Sequence, residues 1–219
     1  MIVIGVDVGS VRRPGGFSWA APDDSVRGQD DPSLLGALVV AALEAGEQVA
    51  LAVECPLSVP VPAATDAGWP ELGRARAGDG TRPWSAGAGT GALATGLVQL
   101  AWLCRYVAER RPATVVTTRP GRLAAGAELF VAEAMVTAEG KPEPVGGADH
   151  ADAVAAARRL QELLDDRAAG DAPVGDVTCA PHVPLNLAAV AMLHAGLRVD
   201  PGELRQDVLV AKARPVAAP

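Results

Sequence analysis

The chain has 219 residues, of which 49% are hydrophobic and 21% are charged, and its formal net charge is −7. This composition allows a sizeable core, so it excludes global disorder and predicts one domain, or one domain with an extension. The acidic balance argues against a general nucleic-acid-binding protein. Three widely spaced cysteines do not indicate a disulfide framework, no basic signal region opens the chain, and no apolar run reaches the length of a membrane span. We therefore expect a cytoplasmic protein without membrane contacts.

The first predicted strand lies in residues 2–10, an apolar run that contains one carboxylate, Asp7. A carboxylate is rarely buried unless it is paired or bound to a metal. Gly9 would let the chain turn close to whatever Asp7 holds. The alternative is that Asp7 caps a turn with Ser10, and this stretch alone does not decide between the two.

The second candidate site residue follows a similar strand. Residues 16–20 suit a strand antiparallel to the first, a short edge strand is expected near residues 25–27, and a helix begins near residue 31. The next apolar strand, over residues 49–54, ends in Glu54. Because sites in open α/β sheets form beyond the carboxyl ends of strands, Glu54 is a candidate site residue. The alternative is an ordinary surface glutamate.

Residues 57–85 are rich in proline, glycine and arginine and predict a long loop, which in a compact domain is usually a lid or a binding loop. The segment from Arg74 to Arg122 carries eight arginines against two acidic residues. We predict that loop arginines beside the carboxylate end contact substrate phosphates, namely Arg74, Arg76 and Arg82. The alternative is a solvated surface.

A helix is predicted from residue 87 to about residue 111, because apolar residues recur there at helical spacing: Leu93, Leu97, Leu100, Cys104 and Val107. The glycines that open it do not form a phosphate loop, since no strand precedes them and no Gly-Lys-Ser/Thr follows. Strands are predicted over residues 114–118 and 129–136. The pattern does not decide which of these two belongs to the main sheet.

A late helix is predicted from about residue 146 to residue 166, and Asp149 and Asp152 lie near its start. The two carboxylates are three residues apart and share a helix face, which continues through Ala153, Ala156, Leu160 and Leu163. Two acids at the head of a core-facing stripe indicate a site. The alternative is that Asp149 is an N-cap and Asp152 its first-turn acidic partner. His150 lies on another face and is not expected to be a ligand.

These motifs together resemble the ribonuclease H-like superfamily, and within it RuvC-type resolvases and the predicted-nuclease family called domain of unknown function 429. Residues 5–10 (Gly-Val-Asp-Val-Gly-Ser) resemble the first-strand motif, residues 53–57 the fourth-strand motif, and residues 149–153 the last motif. Residues 130–133 resemble a Glu-bearing strand of the uncharacterised family, without its following proline. The resemblance covers about residues 1–166 and predicts a ribonuclease H-like domain over residues 1–169. Residues 170–219 are predicted to be a C-terminal extension packed on the same domain, and they match nothing we can name.

The resemblance implies an α/β fold with a mixed five-stranded sheet, helices on both faces, and Asp7, Glu54, Asp149 and Asp152 gathered at one end. Converging carboxylates repel one another unless a divalent cation neutralises them, and oxygen-only ligands favour Mg²⁺ or Mn²⁺. Two such ions can support phosphodiester hydrolysis. The resemblance therefore implies a metal-dependent nuclease in which these four acids are the ligands and catalytic residues, with Asp7 bridging and DNA or RNA as the partner.

Two other classes of protein are compatible with the sequence. A catalytically silent ribonuclease H-like binding or assembly module would suit the acidic charge and the extension. An actin-like ATPase also begins with Gly-x-Asp-x-Gly-Ser, but such a protein has two related lobes. This chain is short for two lobes and shows no second copy of the motif. In the extension, a helix is predicted over residues 184–196 and a strand over residues 207–213. These elements could add an edge strand or form a homodimer contact.

Overall fold

The structure is a computed structural model that describes residues 1–65, 67–80, 83–137, 150–168 and 175–214. In chain order its strands and helices are β1 (Ile2–Asp7), β2 (Ser18–Ala20), β3 (Arg27–Gln29), α1 (Pro32–Glu44), β4 (Val49–Val53), β5 (Ser58–Val61), α2 (Gly87–Arg110), β6 (Val116–Thr117), β7 (Leu129–Met135), α3 (Ala151–Ala168), β8 (Val183–Asn186), α4 (Leu187–His194) and β9 (Val210–Lys212). Short 3-10 helices cover Trp69–Glu71, Pro120–Arg122 and Pro201–Arg205.

The main sheet is mixed, as predicted for an α/β fold. Its order is β3-β2-β1-β4-β7-β6; β1, β2 and β3 are antiparallel, and β1, β4, β7 and β6 are parallel. The sheet has seven strands in the described part of the chain, not five, because β6 pairs with the first half of β7 and β9 with its second half. Of the two strands that the sequence left undecided, β7 is the one beside β4.

Helices cover both faces of the sheet, also as predicted. Alternate strand residues point to opposite faces, so Ile4 and Leu51 pack in one core with α1, α2 and α4, whereas Val3 and Ala52 pack in another with α3. Small side chains occur on both sides of the contact with α3: Ala50, Ala52 and Ala132 on the sheet, and Ala156 and Ala157 on the helix. Small residues on both surfaces let the backbone of α3 lie close to the strands.

The long loop predicted over residues 57–85 is wrong in part, because it contains β5, which pairs antiparallel with β8 in a separate two-stranded sheet. The tail helix also begins later than predicted. The side chain of Asn186 accepts a hydrogen bond of 2.8 Å from the Ala189 main-chain N–H and caps α4, so the residues before it are free to form β8. Because β9 then joins β7, the tail contributes an edge strand to the main sheet.

One expectation about the chain's apolar segments is corrected. The 24-residue helix α2 is long and apolar enough, by length and composition, to cross a membrane. This differs from the expectation that no apolar run reaches the length of a membrane span, because a window of α2 is apolar on average although it is not an unbroken apolar run. In this structure α2 packs between α1 and α4 and contributes Leu100, Leu103 and Val107 to the core.

Candidate metal centre

Two of the predicted site residues lie side by side at the carboxyl ends of adjacent parallel strands. Asp7 is the last residue of β1, and Glu54 directly follows β4. Val6 lies opposite Val53 in the parallel register, and the Glu54 main-chain N–H donates to the Val6 carbonyl oxygen over 2.8 Å. The ladder therefore fixes the two carboxylates at the same edge of the sheet.

Gly5 brings the third carboxylate to this edge. The first turn of α3 lies directly against β1, so that a Cβ atom on Gly5 would be 1.9 Å from the Ala153 carbonyl oxygen and 2.7 Å from the Ala157 amide nitrogen. Both distances are far shorter than ordinary contact. Because only glycine allows this approach, Asp152, in the first turn of α3, comes within reach of Asp7.

Carboxylate oxygens of Asp7, Glu54 and Asp152 all lie within 4.8 Å of one another. This is closer than the roughly 7 Å within which ligands can share one ion, and all three side chains are half-buried. Oxygen donors from three separate elements could together hold a metal ion. The arrangement concentrates negative charge at one point, which a cation would neutralise.

The other predicted residues of the late helix have different outcomes. Asp149 lies outside the described residues, so its part in the cluster stays a prediction. His150 is turned toward the β2–β3 hairpin, where its Nε2 lies 3.4 Å from Asp24 Oδ1 and 3.3 Å from Arg27 Nη1. The apolar stripe predicted behind Asp152 is confirmed, since Ala153, Ala156, Leu160 and Leu163 are all buried.

The predicted phosphate-binding arginines do not form one group. Arg82 lies outside the described residues. Arg74 is exposed and pairs with Glu71. Arg76 differs from the prediction, because its side chain is 0% exposed and is enclosed by Asp79 and Glu133. This buried position does not fit contact with substrate phosphates.

The sequence analysis did not predict the buried ion-pair cluster of Arg76, Asp79 and Glu133. Glu133 lies opposite Val53 in the β4–β7 register, one residue from Glu54, and is 1% exposed. Burial alone would lower the pKa of Arg76, but the hydrogen bonds and charges of Glu133 and Asp79 outweigh it and raise that pKa above its ordinary value. A glutamate within the otherwise apolar run Leu-Phe-Val-Ala-Glu-Ala-Met was the signal that a buried cation had to be nearby.

Two exposed arginines at the same edge were also missed. Arg12 and Arg13 lie in the loop that leaves β1 directly after Asp7, and neither guanidinium forms an ion pair with another residue that the structure describes. The loop is held in shape from both sides: the Gly15 main-chain N–H donates to Asp30 Oδ1 over 2.8 Å, and Gln99 donates to the Gly9 carbonyl oxygen. The sequence alone indicates that this loop lies beside the carboxylates, because the loop follows Asp7 within a few residues.

The mixed sheet and the three converging carboxylates define an α/β protein with a candidate acidic metal site. Comparisons of the chain with protein-family models, with curated proteins and with solved structures give no significant match. The geometry of the site is therefore the basis on which a function can be proposed.

Proposed function

We propose that this protein is a divalent-metal-dependent nuclease with a ribonuclease H-like fold. The observation that carries the proposal is the convergence of Asp7, Glu54 and Asp152 to within 4.8 Å at the carboxyl ends of two neighbouring parallel strands. The mixed sheet with helices on both faces supports it, because the sequence resemblance implies that arrangement, although with five strands rather than the seven of this sheet. Asp149 remains a proposed fourth ligand.

The side chains have distinct roles under this proposal. Asp7, Glu54 and Asp152 would hold Mg²⁺ or Mn²⁺, which when bound supplies activation of a water and stabilisation of charge on a phosphodiester. Asp7, at the end of the central strand β1, is proposed as the ligand that two such ions would share. Arg12 and Arg13 replace Arg76 as candidates for holding the phosphates of DNA or RNA, because their guanidinium groups are exposed at the same edge.

The binding-module alternative predicts a different response to metal. Such a module would keep the fold but neither bind Mn²⁺ at the three carboxylates nor cleave nucleic acid. An actin-like ATPase is not favoured, because the described residues form one main sheet and one two-stranded sheet rather than two related lobes.

The test compares the wild-type protein with Asp7→Asn, which keeps the shape of the side chain and removes its charge. Mn²⁺ at 100 times its dissociation constant should add about 2.7 kcal/mol to the free energy of unfolding of the wild type. For a chain of this size that raises the melting temperature by roughly 5–11 °C. The variant should lose most of this increase and lose on the order of 10²–10³-fold in cleavage of mixed DNA and RNA substrates.

A matched control is Asp165→Asn, the same change at an exposed position about 20 Å along α3 from Asp152. This variant should respond to Mn²⁺ as the wild type does. A wild-type protein that Mn²⁺ does not stabilise and that cuts no nucleic acid would end the nuclease proposal and leave the binding module.

A further inference from the structure

We propose that Arg76 and Glu133 are positioning residues that hold Glu54 in the metal site; this inference rests on the proposed metal-dependent function. Neither side chain is exposed, so neither can touch a substrate in this arrangement. Their effect on the site is transmitted through the main chain that follows Glu54.

The contacts of the pair converge on that main chain. Glu133 Oε2 accepts a hydrogen bond of 2.8 Å from the Leu57 main-chain N–H, and Arg76 Nη1 donates to the Ser58 carbonyl oxygen over 2.9 Å. Leu57 and Ser58 are three and four residues beyond Glu54. On the other side, the Glu54 main-chain N–H is bound to Val6. The segment that carries Glu54 is therefore fixed at both ends, on one side by the sheet and on the other by the ion pair.

The pair itself is rigid. Arg76 Nη1 and Nη2 donate to the two oxygens of Glu133 over 2.7 and 2.6 Å, a bidentate geometry that sets the plane of both groups. Asp79 Oδ1 accepts from Nε and Nη2 of the same guanidinium over 3.0 and 2.8 Å. Four directed contacts leave the guanidinium a single orientation, and the orientation of Glu133 follows from it.

Arg76 also keeps Glu133 from acting as a further metal ligand, because it binds both carboxylate oxygens of Glu133. Glu133 lies close to this site, since Glu54, Cys55 and Glu133 line the same small cavity. If Arg76 did not bind Glu133, the Glu133 carboxylate would compete with Glu54 for the same cation. Because both oxygens of Glu133 are already bound by Arg76, the metal-binding set is restricted to Asp7, Glu54 and Asp152 among the described residues.

Fold stability alone does not require charged groups here. A buried ion pair can often be replaced by apolar side chains of similar volume without loss of stability. The hydrogen bonds from Arg76 and Glu133 to the main chain after Glu54 are instead explained if the pair positions Glu54. Groups that orient metal ligands typically change metal affinity about 10–100-fold when they are altered.

The experiment measures the Mn²⁺ dissociation constant of Glu133→Gln by calorimetric titration, beside its melting temperature in metal-free buffer. An amide cannot accept from both Arg76 nitrogens, so the bidentate contact is broken, while Arg76 and Asp79 remain a balanced pair. We expect Mn²⁺ binding weakened about 10–100-fold. Cleavage activity should return toward the wild-type level at saturating Mn²⁺, because no ligand has been removed.

Glu203→Gln is the matched control. Glu203 is also 1% exposed and accepts three hydrogen bonds, from Thr117 Oγ1 over 2.6 Å and from Thr118 N–H and Oγ1 over 2.6 and 2.8 Å, but it lies beside β6 rather than at the metal site. This variant should melt at a lower temperature and bind Mn²⁺ with the wild-type constant. The comparison separates loss of stability from loss of positioning.

The outcomes are distinguishable. A wild-type protein that does not bind Mn²⁺ refutes the proposed function. A wild type that binds Mn²⁺, together with Glu133→Gln that is folded and binds it equally well, overturns the positioning role and leaves the proposed function intact. Should Glu133→Gln prove unfolded, Arg76→Lys takes its place under the same criterion, because lysine keeps the cation but cannot form the bidentate contact.

Discussion

Replacing Gly5 by alanine tests whether close contact between β1 and α3 assembles the site. The added Cβ would lie 1.9 Å from the Ala153 carbonyl oxygen, about 1.5 Å inside the 3.4 Å at which ordinary contact begins. The obstacle is main chain, so no side-chain rotation relieves it. Helix α3 would have to move outward by about 1.5 Å, and Asp152 in its first turn would move with it.

The expected cost is at the upper end of that seen for overpacked cores, about 3 kcal/mol. For a chain of this size this corresponds to a melting temperature lower by roughly 6–12 °C. Because Asp152 is displaced from Asp7, Mn²⁺ binding should weaken as well. Thermal melting with and without Mn²⁺ measures both effects on one sample.

Gly91→Ala is the control, because it makes the same glycine-to-alanine substitution at a position where the added Cβ has room. Gly91 is exposed within α2, and a Cβ there would meet nothing within 4 Å. Alanine is the better helix former by about 1 kcal/mol, so this variant should be as stable as the wild type or slightly more stable. A Gly5→Ala protein that melts within 2 °C of the wild type and binds Mn²⁺ equally well would refute the argument that α3 is positioned through Gly5.

Charge reversal of Arg12 and Arg13 should weaken nucleic-acid binding and reduce the slope of its salt dependence by about one unit per arginine, whereas reversal of Arg105 and Arg110 on α2 should leave the slope unchanged. A slope that is equal in both variants would place the first pair outside the interface. Iodoacetamide at pH 8 should label the folded protein slowly and the urea-unfolded protein fully, because burial raises the pKa of Cys104 and Cys179 to about 12 and that of Cys55 well above its ordinary value. Since these thiols ionise in the unfolded chain at lower pH than in the folded one, they should lower the free energy of unfolding as pH rises from 8 to 10. Rapid labelling of the native protein would contradict the buried positions.

Much of the candidate site was predictable because its signals are local. A carboxylate at the end of an apolar run places Asp7 and Glu54 at strand ends, and helical spacing places Asp152 at the head of a buried stripe. Each inference uses residues within a few positions of one another. The parallel pairing of β1 and β4, which the structure shows, brings the two strand ends to one edge.

The arginines could not be assigned in the same way. Arg76 and Arg74 are two residues apart in a segment without periodicity, yet one is enclosed and the other exposed. The partner of Arg76 is Glu133, which is 57 residues away. No local pattern indicates which distant carboxylate a buried cation will meet.

The sequence by itself determined the α/β class, the strand ends that carry the acids and the buried face of α3, because these depend on side-chain periodicity within single elements. Only the tertiary structure decided that β5 pairs with β8, that β9 joins β7, and that Glu133 binds Arg76 rather than joining the carboxylate cluster. Those outcomes depend on which remote segments come together, since a buried strand edge or a buried charge must be satisfied by whatever group the folded chain brings within hydrogen-bonding distance.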